Sequence, residues 1–259
     1  MDRLHGVHCV REALRARRRK PHRLLVRAGR LRPELDELVR LARTWGVRVE
    51  EVEARDLVAE PGPGASNPQG VALEAEPLPE LELADLILAA SQGCGRGRRI
   101  VALDGVEDPQ NVGAIVRVAE ASGVAGLVLT QRRAPPLSPA LARASAGAVE
   151  WLPVARVTNL GRALKCLKSE GFWVVGADPE ATASVFEVEP RVLRGDLVVV
   201  LGAEGRGLRP GVASLVDHPV RIPMQGRVGS LNVSAASAVL LYELMRRSGL
   251  EFSAGVADR

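Results

Sequence analysis

Three short stretches of this 259-residue chain carry polar side chains where a ligand could be held. In Asn111-Val112-Gly113-Ala114-Ile115-Val116-Arg117, an amide and a guanidinium frame residues that are otherwise apolar or small. In Leu201-Gly202-Ala203-Glu204-Gly205-Arg206-Gly207, one carboxylate stands among glycines. In the run from Ile222 to Asn232, Ser230 and Asn232 follow Gly226 and Gly229. A guanidinium among apolar neighbours requires an anion or an acceptor. Arg117 therefore pairs with a structural acid, snorkels to water or holds an anionic ligand. Glu204 either binds a substrate or caps its turn. Ser230 is placed as the cap of the next helix, and the two loop glycines allow backbone to approach a ligand closely.

The elements that must position these groups follow from the pattern around them. A strand at Ile100–Leu103 leads through Asp104 to a helix at Pro109–Ser122, with Asp108 as cap and Pro109 in the first turn. Leu197–Leu201 is a run of branched apolar residues, the mark of a strand buried on both faces. It opens into the glycine-rich loop at the carboxyl end of the sheet, where ligands collect in open α/β folds. Further strands are expected at Gly126–Thr130, Phe172–Ala177 and Val220–Ile222. Helices are expected at Pro139–Ala144, Asn159–Glu170, Pro210–Val216 and Leu231–Arg246. Alternation of this kind gives a mainly parallel sheet flanked by helices. No G-x-G-x-x-G is present, so a dinucleotide site has little support. The small residues Ser234–Ala238 permit close helix packing, within the chain or across a subunit interface.

Residues 1–76 read as a small α/β unit with its own core. Helices at Val7–Arg17 and Pro33–Trp45 alternate with strands at His22–Val26, Val47–Val49 and Val71–Glu74, and a short helix is expected at Ala54–Ala59. Residues 77–99, opened by Pro77 and Pro79 and closed by the basic Gly93–Arg99, read as a linker with a short helix at Glu82–Ala90. Residues 100–259 form the second unit, with a frayed tail from Gly249. The net charge is +4, and from Arg3 to Arg32 there are eleven basic residues against one acidic one. Arg17, Arg18 and Arg19 lie at the centre of that run, either as a solvated turn or as a nucleic-acid footprint with exposed side chains.

With 46% hydrophobic residues the chain has ample material for a core. No apolar run is long enough to span a bilayer, and the N-terminus has no signal-peptide core, so a cytoplasmic protein is expected. Cys9, Cys94 and Cys166 have neither disulfide nor metal spacing, and no metal is expected. Seven aromatic residues are too few for a stacking platform, so phosphate and shape should dominate any contact with nucleic acid.

Together, the three polar stretches resemble, in order and spacing, the motifs of the SpoU (TrmH-like) branch of the SPOUT RNA methyltransferases. The resemblance covers roughly Ile100–Arg247. The first unit, from Leu4-His5-Gly6-Val7-His8 to Asn67-Pro68-Gln69-Gly70-Val71, is similar to the L30e-like RNA-binding domain of the family's longer members. This implies a trefoil-knotted α/β fold, a homodimer, and methyl transfer from S-adenosylmethionine to the ribose 2′-hydroxyl of a guanosine in 23S ribosomal RNA. A transfer-RNA ribose methyltransferase and a nonenzymatic RNA-binding protein are the alternatives. By position in the motifs, Arg117 acts on the hydroxyl or its phosphate. Asn111, Glu204, Ser230 and Asn232 orient Arg117 and the substrate, while the backbones of Gly202, Ile222 and Leu231 hold the cofactor.

Overall fold

A computed structural model describes residues 1–30, 32–57, 68–93 and 97–247. The first part comprises β1 (Asp2–His5), α1 (Val7–Ala16), β2 (Pro21–Arg27), α2 (Pro33–Thr44), β3 (Arg48–Val52), a 3₁₀ turn (Ala54–Leu57) and β4 (Val71–Ala75). Its sheet has the order β1-β4-β2-β3, with β2 and β3 parallel and the other pairs antiparallel. α2 forms because Pro33 pre-sets the first turn and Leu35, Leu38, Val39 and Ala42 fall on one buried stripe. The end of the expected helix at Ala54–Ala59, most of the following loop and the tail from Gly249 lie outside the described residues.

The second sheet holds β5 (Arg99–Asp104), β6 (Gly126–Thr130), β7 (Val154–Val157), β8 (Trp173–Ala177), β9 (Leu197–Gly202) and β10 (His218–Val220). The order is β10-β8-β9-β5-β6-β7, and every pair is parallel. Burial on both faces is visible residue by residue in the central strands. Val101, Leu103, Val199 and Leu201 join one apolar cluster, while Ile100, Ala102, Val198 and Val200 join the other. The first face is covered by α4 (Pro109–Ala121), α5 (Pro139–Ala144) and α9 (Val233–Arg247); the second by α3 (Leu83–Gly93) and α6 (Leu160–Ser169). Gly113 brings α4 against α5, for a Cβ there would lie 2.5 Å from that of Ala144. α7 (Pro190–Leu193) and α8 (Pro210–Ala213) are single turns. β1, β7 and α7 are too short to stand out in the sequence, and β10 ends two residues before the expected Ile222.

The stretch expected to link two units is packed down where it is described. Leu86 of α3 is fully buried, with its Cδ1 2.4 Å from where a Cβ on Gly126 would be. Leu81 pairs with Ala155 at the sheet edge. The first part also shares a core with the second: one apolar cluster runs from Leu4 and Val10 to Leu141, Val149 and Leu152.

Polar groups seal the same junction, which corrects the expectation of an exposed basic cluster. Arg19 is buried, donating from Nε to both Glu150 carboxylate oxygens at 3.0 and 2.9 Å and from Nη1 to Asp2 at 2.5 Å. Arg18, half-buried, donates to the carbonyls of Leu152, Val149 and Glu150. Arg17 alone is exposed, with its guanidinium 3.8 Å from the centre of the Trp45 ring. Among the described residues no helix is long and apolar enough to cross a membrane.

Candidate active site

α4 begins as its sequence dictates. The Asp108 carboxylate accepts from the backbone N–H groups of Gln110 and Asn111 at 3.0 and 3.4 Å, which fixes Asn111 in the first turn. At α9 the cap is Asn232, two residues beyond the expected Ser230. Asn232 Oδ1 accepts from the backbone N–H of Ser234 at 2.8 Å and from its hydroxyl at 2.5 Å. An amide oxygen that faces two donors leaves the amide nitrogen to face acceptors. Asn232 Nδ2 donates to Asn111 Oδ1 at 3.0 Å and to Glu204 Oε1 at 2.5 Å. Asn111 Nδ2 donates to the same Glu204 oxygen at 3.1 Å. One side chain from each of the three stretches thus closes into a single hydrogen-bonded cluster.

Glu204 stands on a tight turn in which Gly207 N–H donates to the Ala203 carbonyl at 2.9 Å. Gly205 and Gly207 adopt φ of +73° and +62°, which an L side chain enters only at a cost. Gly202 is required for a different reason. A Cβ there would lie 2.2 Å from the carbonyl carbon of Gly207, so the turn closes directly over it. Below the turn, the buried Asp104 carboxylate accepts from the Arg209 backbone N–H at 2.8 Å and from Arg209 Nε at 2.6 Å. Asp104 therefore anchors the far end of the Glu204 loop to the end of β5.

Two clefts flank the cluster. One, of about 380 Å³, is walled by Ile222, Met224, Leu231 and Leu240 and includes Ser230. The other, of about 320 Å³, is lined by Asn111, Glu204, Arg206 and Arg209. Ile222, Ser230 and Leu231 are thus brought to the first cleft, whereas Gly202 lines neither. Arg117 is exposed and has no protein partner among the described residues, which removes the structural-acid alternative. It also stands apart from the cluster, roughly 9 Å along α4 and roughly 120° around it from Asn111.

Residues 98–242 match the model of the SpoU rRNA Methylase family, and residues 3–81 that of RNA 2′-O ribose methyltransferase substrate binding. The chain belongs to the SpoU methylase family. It is 37% identical over 254 residues to the 23S rRNA (guanosine-2′-O-)-methyltransferase RlmB of Vibrio cholerae, covering 94% of this chain and 96% of that one. It is 35% identical over 242 residues to the putative TrmH family tRNA/rRNA methyltransferase YacO of Bacillus subtilis, covering 93% and 94%. Among solved structures, the SpoU methyltransferase AviRb of Streptomyces viridochromogenes in complex with AdoMet superposes with a TM-score of 0.76 at 25% identity, covering 95% of this chain and 89% of that one.

For this SpoU protein, sequence reasoning missed the Asp104–Arg209 clamp. The available signal was a carboxylate ending an otherwise apolar strand at its ligand-binding end. It also missed a wide groove on the N-terminal part, of about 900 Å³, whose lining includes Arg11, Arg27, Arg30 and Arg32. Those arginines are spread over 22 positions and meet only in the fold.

Proposed function

We propose that the protein transfers a methyl group from S-adenosylmethionine to a ribose 2′-hydroxyl of a guanosine in 23S ribosomal RNA. The closed Asn111–Glu204–Asn232 cluster carries this reading, set between an apolar cleft and a polar one in a chain similar along its length to RlmB. The apolar cleft suits the cofactor. Its volume is in the range of small-molecule sites, and its aliphatic walls suit an adenosine face. The backbones of Ile222 and Leu231 serve the polar edges. Bound there, S-adenosylmethionine supplies an electrophilic methyl group. Gly202 acts at one remove, by letting the Glu204 turn close.

The protein's own work is to align the ribose oxygen and manage its charge. Hydrogen bonds from the Asn111 and Asn232 side-chain amides to Glu204 Oε1 fix the carboxylate in one orientation. A guanidinium is a donor and not a base in proteins, so the part of Arg117 is to hold the phosphate and to stabilise negative charge on the oxygen. As the methyl group passed from sulfur to the ribose oxygen, breaking its S–C bond and leaving a thioether, the hydroxyl proton would go to water or to a neighbouring acceptor. A homodimer completes the site, each protomer's Arg117 serving the cluster of its partner. Val228 and Leu231, exposed in the loop before α9, and Tyr242, exposed on α9, support such an interface. Residues 1–76 grip the RNA at a distance through the groove at Arg27 and Arg30, and residues 100–259 carry the chemistry.

Purified protein should label a 23S rRNA transcript with radioactive methyl from S-adenosylmethionine, at one guanosine ribose. Label on transfer RNA instead, or none on any RNA, overturns the reading. Arg117→Ala should be inactive while still binding the cofactor, as should Asn232→Ala. A re-associated mixture of the two should regain about a quarter of wild-type activity, since half the dimers keep one intact site. No recovery would refute the shared site.

A further inference from the structure

The polar cleft beside Glu204 does not end at the cluster. Arg133 and Arg209 line both it and a second groove of about 760 Å³, which runs along the carboxyl ends of β6 and β7 to the first turns of α6. Arg132, Arg162 and Lys165 also face this groove, and no carboxylate lines it. We propose that it holds the phosphate backbone of the RNA strand next to the target nucleotide, an inference that rests on the methyl-transfer reading above.

No acidic side chain among its described lining residues offsets the charge of this groove. Elsewhere basic side chains commonly meet acids: Arg11 with Glu37, Arg23 with Glu74, Arg98 with Asp196, Lys168 with Asp217. Arg132, Arg133, Arg162 and Lys165 are all exposed, and none has a side-chain partner among the described residues. Four like charges left together in water repel one another, and a polyanion relieves that repulsion while releasing its own counterions. The loop that carries two of them is also braced. Arg156 of β7 donates to the carbonyls of Pro135 and Gln131 at 2.8 and 3.3 Å, and the Thr130 hydroxyl donates to the Arg132 carbonyl. A fixed loop presents its charges with less ordering cost on binding. The groove also leads to the catalytic cluster: Arg209 is clamped to Asp104 at the base of the Glu204 loop. A strand whose ribose is held at Glu204 has its neighbouring phosphates within this channel.

The triple variant Arg132→Ala/Arg162→Ala/Lys165→Ala tests this. Its KM for a 23S rRNA transcript should rise by at least about tenfold, and the salt slope of RNA binding should fall by about two, at roughly 0.7 per phosphate contact on a single strand. kcat should stay within about twofold, because these groups hold the strand and not the reacting atoms. S-adenosylmethionine affinity by calorimetry should not change. The pair Arg162→Lys/Lys165→Arg keeps the charge and should keep the slope. The single variants Arg162→Ala and Lys165→Ala, which break no contact, should each lower the slope by about 0.7. Unchanged KM and slope, in a preparation whose wild type methylates the transcript, overturn the inference alone. A wild type that methylates no RNA overturns the functional reading beneath it.

Discussion

Replacing Glu150 by Ala strips the buried Arg19 guanidinium of its main partner. Their side chains are 0% and 1% exposed, and Arg19 retains Asp2, itself 18% exposed, and the Glu76 carbonyl at 3.3 Å. Breaking a buried pair from one side costs about 3–5 kcal/mol. With Asp2 still in place the lower end applies, about 3 kcal/mol, or a fall in Tm of about 6–12 °C for a chain of this size. Arg19→Ala strands a carboxylate instead, and a carboxylate escapes by taking a proton. Burial already pushes the Glu150 carboxyl above its ordinary value, against the pull of the Arg19 bonds. A carboxyl raised in the folded state binds a proton on folding. Its penalty is full at pH above the folded value, fades as pH falls through that value, and is gone below the unfolded one. The Arg19→Ala deficit should therefore shrink from about pH 8 to about pH 5. The Glu150→Ala deficit should not, because a guanidinium keeps its proton throughout. Burial lowers His5 in all three proteins alike, so its titration cancels in the differences. Urea unfolding followed by tryptophan fluorescence at several pH values measures both deficits. A loss below about 1 kcal/mol for Glu150→Ala, or parallel pH profiles for the two variants, would refute the reasoning.

Gly202→Ala should lower stability and abolish S-adenosylmethionine binding together, because a Cβ there meets the Gly207 backbone; calorimetry and a melting curve on the same sample check it. Asn232→Asp keeps the cap oxygen of α9 but sets a second carboxylate against Glu204, so methyl transfer should be lost at nearly unchanged Tm. Asn232→Ala should in addition lose about 1 kcal/mol of helix capping. Hydrogen bonds from Arg23 hold the Glu74 carboxyl below its ordinary value of 4.5. Its stabilisation is present above that value and is lost as pH falls through the lower, folded one, so Glu74→Gln should unfold less steeply in acid titrations.

Much of the local structure was legible in the sequence because its causes are local. Asp108 and Pro109 open α4, the apolar run 197–201 makes a two-faced strand, and the stripe on α2 needs no distant partner to be recognised. The three polar stretches were legible as motifs, and through them the SpoU family and the residues of the cluster. Their joining was not: Asn232 and Asn111 are 121 positions apart, and only parallel strands ending side by side bring them within 3.0 Å. Ser230 was the natural cap by residue type. Which oxygen reaches the free N–H groups depends on where the loop delivers the chain, and it delivers Asn232. The largest surprise lay in the basic run. Charge alone places Arg17, Arg18 and Arg19 in solvent, since burying a lone guanidinium is prohibitive. What reverses the sign is a carboxylate 131 residues away, held at the same buried junction by a glycine, Gly147, in a left-handed turn. Residue type sets the cost of burial locally, but the partner that offsets it is supplied by the tertiary fold.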